Sequence, residues 1–131
     1  MNDFPLSAGI TLLIVLLMFW TAYEVGMGRK RYGVKAPAVT GHPQFERAYR
    51  VQMNTLEWVV MTLPCLWVCA VFVSDAVAAG LGVVWLLGRV WYALAYQRDP
   101  ASRGPGFLVG ALAFGALGLA GAAGVVLRLL G

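Results

Sequence analysis

The stretch FERAYRVQMNTLEW, residues 45 to 58, sets Arg47, Arg50, Asn54 and Glu57 at helical spacing where a hydrophobic run begins. Positions i, i+3, i+7 and i+10 fall on one helical face, so two guanidiniums, an amide and a carboxylate point the same way. The ordinary reading of such a stripe is a solvated amphipathic helix end. Glu57 speaks against it. The charge-free run from residue 58 to 73 is 16 residues long, short of the roughly 20 that a spanning helix needs. The span therefore takes in Glu57, and a carboxylate inside a membrane faces a bundle interior or a polar cavity and marks a functional site.

Composition carries the same reading outward. With 60% hydrophobic and 12% charged residues in 131, the chain belongs with integral membrane proteins and not with soluble domains. Residues 6 to 23 and 104 to 127 are free of charge, and residues 76 to 97 carry only Arg89. The expectation is one all-α domain over residues 1 to 131, a bundle of four transmembrane helices over about residues 5–27, 46–73, 76–97 and 105–129. The first span lacks the basic leader and small-residue cleavage site of a secretory signal, so it reads as a helix of the mature protein.

Charge sets the expected orientation. Arg29, Lys30, Arg31 and Lys35 lie between spans one and two, with Arg47 and Arg50 close behind, and Arg98 and Arg103 lie between spans three and four. The opposite ends carry Asp3, Asp75 and Arg128. The positive-inside rule puts both basic loops in the cytoplasm and both termini outside, as in a bacterial inner membrane. The net charge of +4 then reflects topology and some attraction to anionic membrane lipid, with no nucleic acid implied.

Other chemistry-bearing residues give less. Cys65 and Cys69, four apart in span two, read as small packing residues, and two candidate ligands do not make a metal site. His42, the single histidine, lies in a loop without a catalytic partner at a recognisable spacing. Pro64 should kink span two. The glycines of span four, including the pair Gly106 and Gly110, read as close helix packing. In span three Arg89, Tyr92 and Tyr96 share a face, followed by Arg103. Spans two and three run antiparallel, so their polar stripes can meet in one cytoplasmic pocket. Arginines suit carboxylates, and a carboxylate such as Glu57 suits an ammonium or amide donor, so a zwitterionic ligand with several carboxylates fits.

The segment FERAYRVQMNTLE, together with GRVWYALAY in span three, the basic first loop and the four spans, resembles the MAPEG family, the membrane-associated proteins in eicosanoid and glutathione metabolism. The resemblance implies a homotrimer with glutathione as co-substrate, held at subunit interfaces and open to the cytoplasm. It implies glutathione binding by Arg50, Asn54, Glu57, Tyr92 and Tyr96, with Arg29 and Gln52 reaching in from a neighbour. Arg103 matches the arginine that activates the thiol. Trp58 stands where one branch of the family has tyrosine, so a hydroxyl is missing there. The function implied is a membrane-bound transferase or peroxidase that directs the glutathione thiolate at a lipophilic electrophile or lipid hydroperoxide. The alternatives are a non-catalytic lipid-binding scaffold of the same family, or a small transporter. Transport would need polar residues through the whole membrane depth, yet span four is featureless up to Arg128 near its end and the polar groups cluster at the other end of the bundle.

Overall fold

The computed structural model describes residues 3–131. It holds four long helices: α1 (Pro5–Tyr32), α2 (Pro43–Phe72), α3 (Asp75–Arg98) and α4 (Gly104–Leu130), with a single 3-10 turn at Pro100–Ser102. Each long helix is long and apolar enough to cross a membrane. The chain is a multi-pass integral membrane protein of all-α architecture.

Local chemistry fixes where the helices begin and end. Pro5 opens α1 without a side-chain cap of its own; the Asp75 carboxylate of α3 supplies one, accepting from the backbone N–H groups of Leu6 at 3.0 Å and Ser7 at 2.8 Å. Free N–H groups at a helix start need such a partner, and a carboxylate also suits the positive end of the helix dipole. Gly33, at φ 66°, ends α1 in the left-handed conformation that glycine adopts without steric cost. His42 caps α2, its Nδ1 accepting from Gln44 N–H at 3.1 Å, and its ring stacks on Tyr32 at 3.8 Å. Ser74 caps α3 through Val77 N–H at 3.2 Å. Pro100 then separates α3 from α4.

The central core draws on every helix: Ile10, Ile14 and Leu17 from α1, Val59, Leu66 and Cys69 from α2, Ala78 and Trp85 from α3, and Ala113 and Leu117 from α4. Large apolar side chains also cover the outside, Leu12, Phe19, Leu87 and Leu119 among them. In water such a surface would drive association; against lipid it is the matching solvent. α2 packs on all three other helices and runs as one helix through Pro64. The Gly106 and Gly110 pair faces α3 within the chain. A Cβ on Gly106 would stand 2.5 Å from the Tyr92 backbone nitrogen, and one on Gly88 would stand 2.6 Å from that of Gly110. Bare backbone at these points lets α3 and α4 touch.

Candidate functional site

α1 and α3 end, and α2 and α4 begin, on the same side of the bundle, so both basic loops share that end. A cavity of about 390 Å³ opens there, walled by Arg50 and Asn54 of α2, Tyr92 and Tyr96 of α3, and Arg103, Gly104 and Phe107 at the start of α4. Arg50 and Asn54 are one helical turn apart, as are Tyr92 and Tyr96, so each helix contributes one face. The two polar stripes expected from the sequence therefore meet, and five of the nine expected site residues share one cavity.

Its geometry is set by aromatic and cationic contacts. Tyr92 is buried, with its ring centroid 5.7 Å from that of Tyr96 and 6.1 Å from that of Phe107. Gly106 is what allows α4 to bring Phe107 this close. The Arg103 guanidinium lies exposed at the mouth, its carbon 5.9 Å from the Tyr96 ring centroid, and its Nη1 donates to the Pro100 carbonyl at 2.9 Å. Arg50 is exposed as well. Two guanidiniums and two tyrosines, with no carboxylate among the residues that line the cavity, make a pocket for an anion.

Arg89 stands behind this wall and not in it. It is 1% exposed. Its Nη2 donates to Asn54 Oδ1 at 2.8 Å and to Thr55 Oγ1 at 3.0 Å, and its guanidinium carbon lies 4.2 Å from the Tyr92 ring centroid, a cation–π distance. Gly110 makes room for it, since a Cβ there would meet the Arg89 Cδ at 3.3 Å. The sequence places Arg89 on the same face as the two tyrosines; the packing of α4 decides that it serves the wall from behind.

The remaining expected residues lie elsewhere in the single chain. Arg29 holds its own loop, with Nη1 donating to Ala38 O at 2.7 Å and its guanidinium 4.9 Å over the Phe45 ring. Gln52 is half-buried and Glu57 exposed, and neither borders the cavity. Trp58 packs edge-on against Phe107 at 5.3 Å and Phe114 at 5.4 Å, so it supports the α4 wall and does not line it. Arg47, from the same sequence stripe, donates to the carbonyls of Gln97 and Arg98 at 3.3 Å, binding α2 to the end of α3. Phe107 is the lining side chain that the sequence did not single out, because a lone aromatic in an apolar span carries no polar signal. A separate polar cavity of about 230 Å³, with Glu24, Arg31 and Gln97 in its wall, contains none of the expected site residues.

The chain has clear relatives among known proteins. An uncharacterized protein of Synechocystis sp. is 46% identical over 103 residues, which are 79% of this chain and 75% of that protein. Leukotriene C4 synthase of Bos taurus is 37% identical over 102 residues, covering 78% of this chain and 68% of the synthase. Microsomal glutathione S-transferase 2 of Homo sapiens is 33% identical over 120 residues, covering 92% and 82%. The MAPEG family model matches residues 7–123, from the first helix into the last, and the chain is a member of the MAPEG family.

Proposed function

We propose that the chain is a glutathione-dependent transferase or peroxidase acting on a lipophilic substrate in the bilayer. The observation that carries this reading is the cavity itself, where Arg50, Asn54, Tyr92, Tyr96 and Arg103 converge at the basic end of the bundle. Its volume of about 390 Å³ falls in the range of small-molecule sites. Relatives named as a glutathione S-transferase and a leukotriene synthase support the substrate class.

In this reading Arg50 holds a glutathione carboxylate, Asn54 donates to a second polar group, and the two tyrosines bound the tripeptide on the α3 side. Arg103 faces the sulfur. A free thiol titrates near about 8.5, so only a few per cent is thiolate at neutral pH. A guanidinium beside the sulfur favours the anion, and a tenfold change in the thiol's acidity corresponds to about 1.4 kcal/mol. The thiolate attacks an electrophilic carbon to form a thioether, with departure of a leaving group or protonation of the adduct. Alternatively it attacks the terminal oxygen of a hydroperoxide, cleaving the O–O bond to release the alcohol after protonation and leaving glutathione sulfenic acid, which a second glutathione converts to the disulfide and water. Gln52 and Arg29 act across a subunit boundary in a homotrimer, where Glu57 completes the site with Arg50 and Asn54 of its own α2, and Trp58 fixes the wall through Phe107. The basic end faces the cytoplasm and both termini lie outside, because Arg29, Lys30, Arg31, Lys35, Arg98 and Arg103 all sit at that end; the Synechocystis relative supports a bacterial inner membrane as the location.

The direct test is to add glutathione to the purified protein and follow thiolate absorbance. A band that grows to saturation at neutral pH is expected. No band and no heat of binding would remove glutathione as the ligand.

A further inference from the structure

We infer that Arg89 is a positioning residue that locks the Asn54 side-chain amide with its NH2 group toward the cavity, making Asn54 an obligatory hydrogen-bond donor to an anionic group of the ligand. A guanidinium carries donors and no acceptor. The Asn54 atom 2.8 Å from Arg89 Nη2 is therefore the carbonyl oxygen, and the opposite amide orientation would set N–H against N–H. Asn54 borders the cavity while Arg89 does not, so the end of the amide left for a ligand is its NH2. Arg89 cannot easily turn away: it is 1% exposed, its second donated bond goes to Thr55 Oγ1 at 3.0 Å, its flat face lies against Tyr92, and its stem fills the space left by Gly110.

The consequence is a selectivity rule. With Arg50 beside Asn54 on α2 and Arg103 at the start of α4 lining the same cavity, these three side chains offer it donors only. A carboxylate or other anion is accepted there, and an ammonium is rejected because it would meet N–H groups. The choice of glutathione as ligand rests on the function proposed above; the orientation of the amide does not.

The test titrates glutathione and, in parallel, inorganic sulfate by calorimetry into the detergent-solubilised full chain and its variants. Asn54→Asp keeps an oxygen for Arg89 but turns a charged acceptor toward the cavity. It should lose about tenfold or more in affinity for both probes, the scale of leaving a buried charged or polar group unpaired. Arg89→Met should weaken binding by releasing the amide, and Arg89→Lys should restore part of the loss by returning a cationic donor without the fork. The double variant Arg89→Met with Asn54→Ala should bind no worse than Asn54→Ala alone, because the two residues act in series. Wild-type affinity in Asn54→Asp, or losses that add in the double variant, would overturn the inference. If Arg89→Met does not fold, Asn54→Asp carries the test. Sulfate binding with this pattern but no glutathione binding would remove the proposed function and leave the positioning role standing. Neither probe binding the wild type would remove both.

Discussion

Arg103 and Arg50 share one wall yet should fail in different ways when replaced. Arg50 sits on α2 with its guanidinium free for a ligand carboxylate. Arg50→Ala should weaken glutathione binding by about 1.5 to 3 kcal/mol, the range for a hydrogen bond to a charged group; unchanged affinity in a calorimetric titration would take Arg50 out of the site. In the proposed function Arg103 acts on the anion, so Arg103→Ala should lower turnover at neutral pH with much less effect on affinity. Raising the pH toward the free thiol value should recover part of the rate, because a larger fraction of glutathione is then thiolate without help. Arg103→Lys should fall between. Rates against pH with an aromatic electrophile and a lipid hydroperoxide check this, and an Arg103→Ala profile that matches wild type would assign thiol activation to another group. The pairing of residues 50 with 54 and of 92 with 96 was legible in the sequence because it follows the helical repeat, whereas Arg103, beyond the break at Pro100, was marked by the family resemblance. The role of Arg89 was not, since its reach to Asn54 depends on how α3 packs against α2, which leaves no local trace.

At the scale of the element, the position of the α3 tyrosines depends on glycines that carry no chemistry. A Cβ on Gly106 would stand 2.5 Å from the Tyr92 nitrogen and 2.9 Å from its Cα, and backbone on that side cannot give way as a side-chain tip can. Gly106→Ala should therefore push α4 from α3, at about 1 to 3 kcal/mol for overpacking, and loosen glutathione binding through Tyr92 and Phe107. Gly115→Ala is the comparison, because a Cβ there meets nothing within 4 Å; it should leave both stability and affinity near wild type. Thermal unfolding in detergent and calorimetry check the pair, and equal effects from both would show that the seam is not what positions Tyr92. The sequence announced a glycine-rich span suited to close packing, but several glycines share that pattern. Only the register of α4 against α3 separates Gly106, which is in the seam, from Gly115, which is outside it. The same holds for Asp75, whose service to α1 spans 69 and 68 residues of sequence separation and leaves no local trace.

At the scale of the whole molecule, one chain leaves polar groups of α2 without a purpose. Glu57 is exposed and Gln52 is half-buried, and neither borders the cavity of their own chain. A carboxylate left against hydrocarbon costs several kcal/mol by insertion measurements, on the order of 2.5 to 3.5 for an aspartate at mid-span, so a lone chain would carry an avoidable penalty on its most polar helix. A neighbouring copy that covers this face of α2 removes the penalty and brings Gln52 to a cavity it cannot reach within its own chain. Exposed Leu56, Val60 and Met61 lie beside Glu57 on α2 and give such an interface an apolar part. We expect an obligate oligomer, a trimer by the family resemblance, in which each glutathione site is complete only when two subunits meet. Native mass spectrometry from mild detergent should find three copies. Monomers that keep full glutathione affinity would overturn the expectation. Mixing inactive subunits supplies a second check that does not depend on detergent. Arg103→Ala and Gln52→Ala chains, each impaired as a pure population, should regain activity when co-assembled, because some sites then draw an intact Arg103 from one chain and an intact Gln52 from the next. No recovery in verified mixed assemblies would return Gln52 to a role within its own chain.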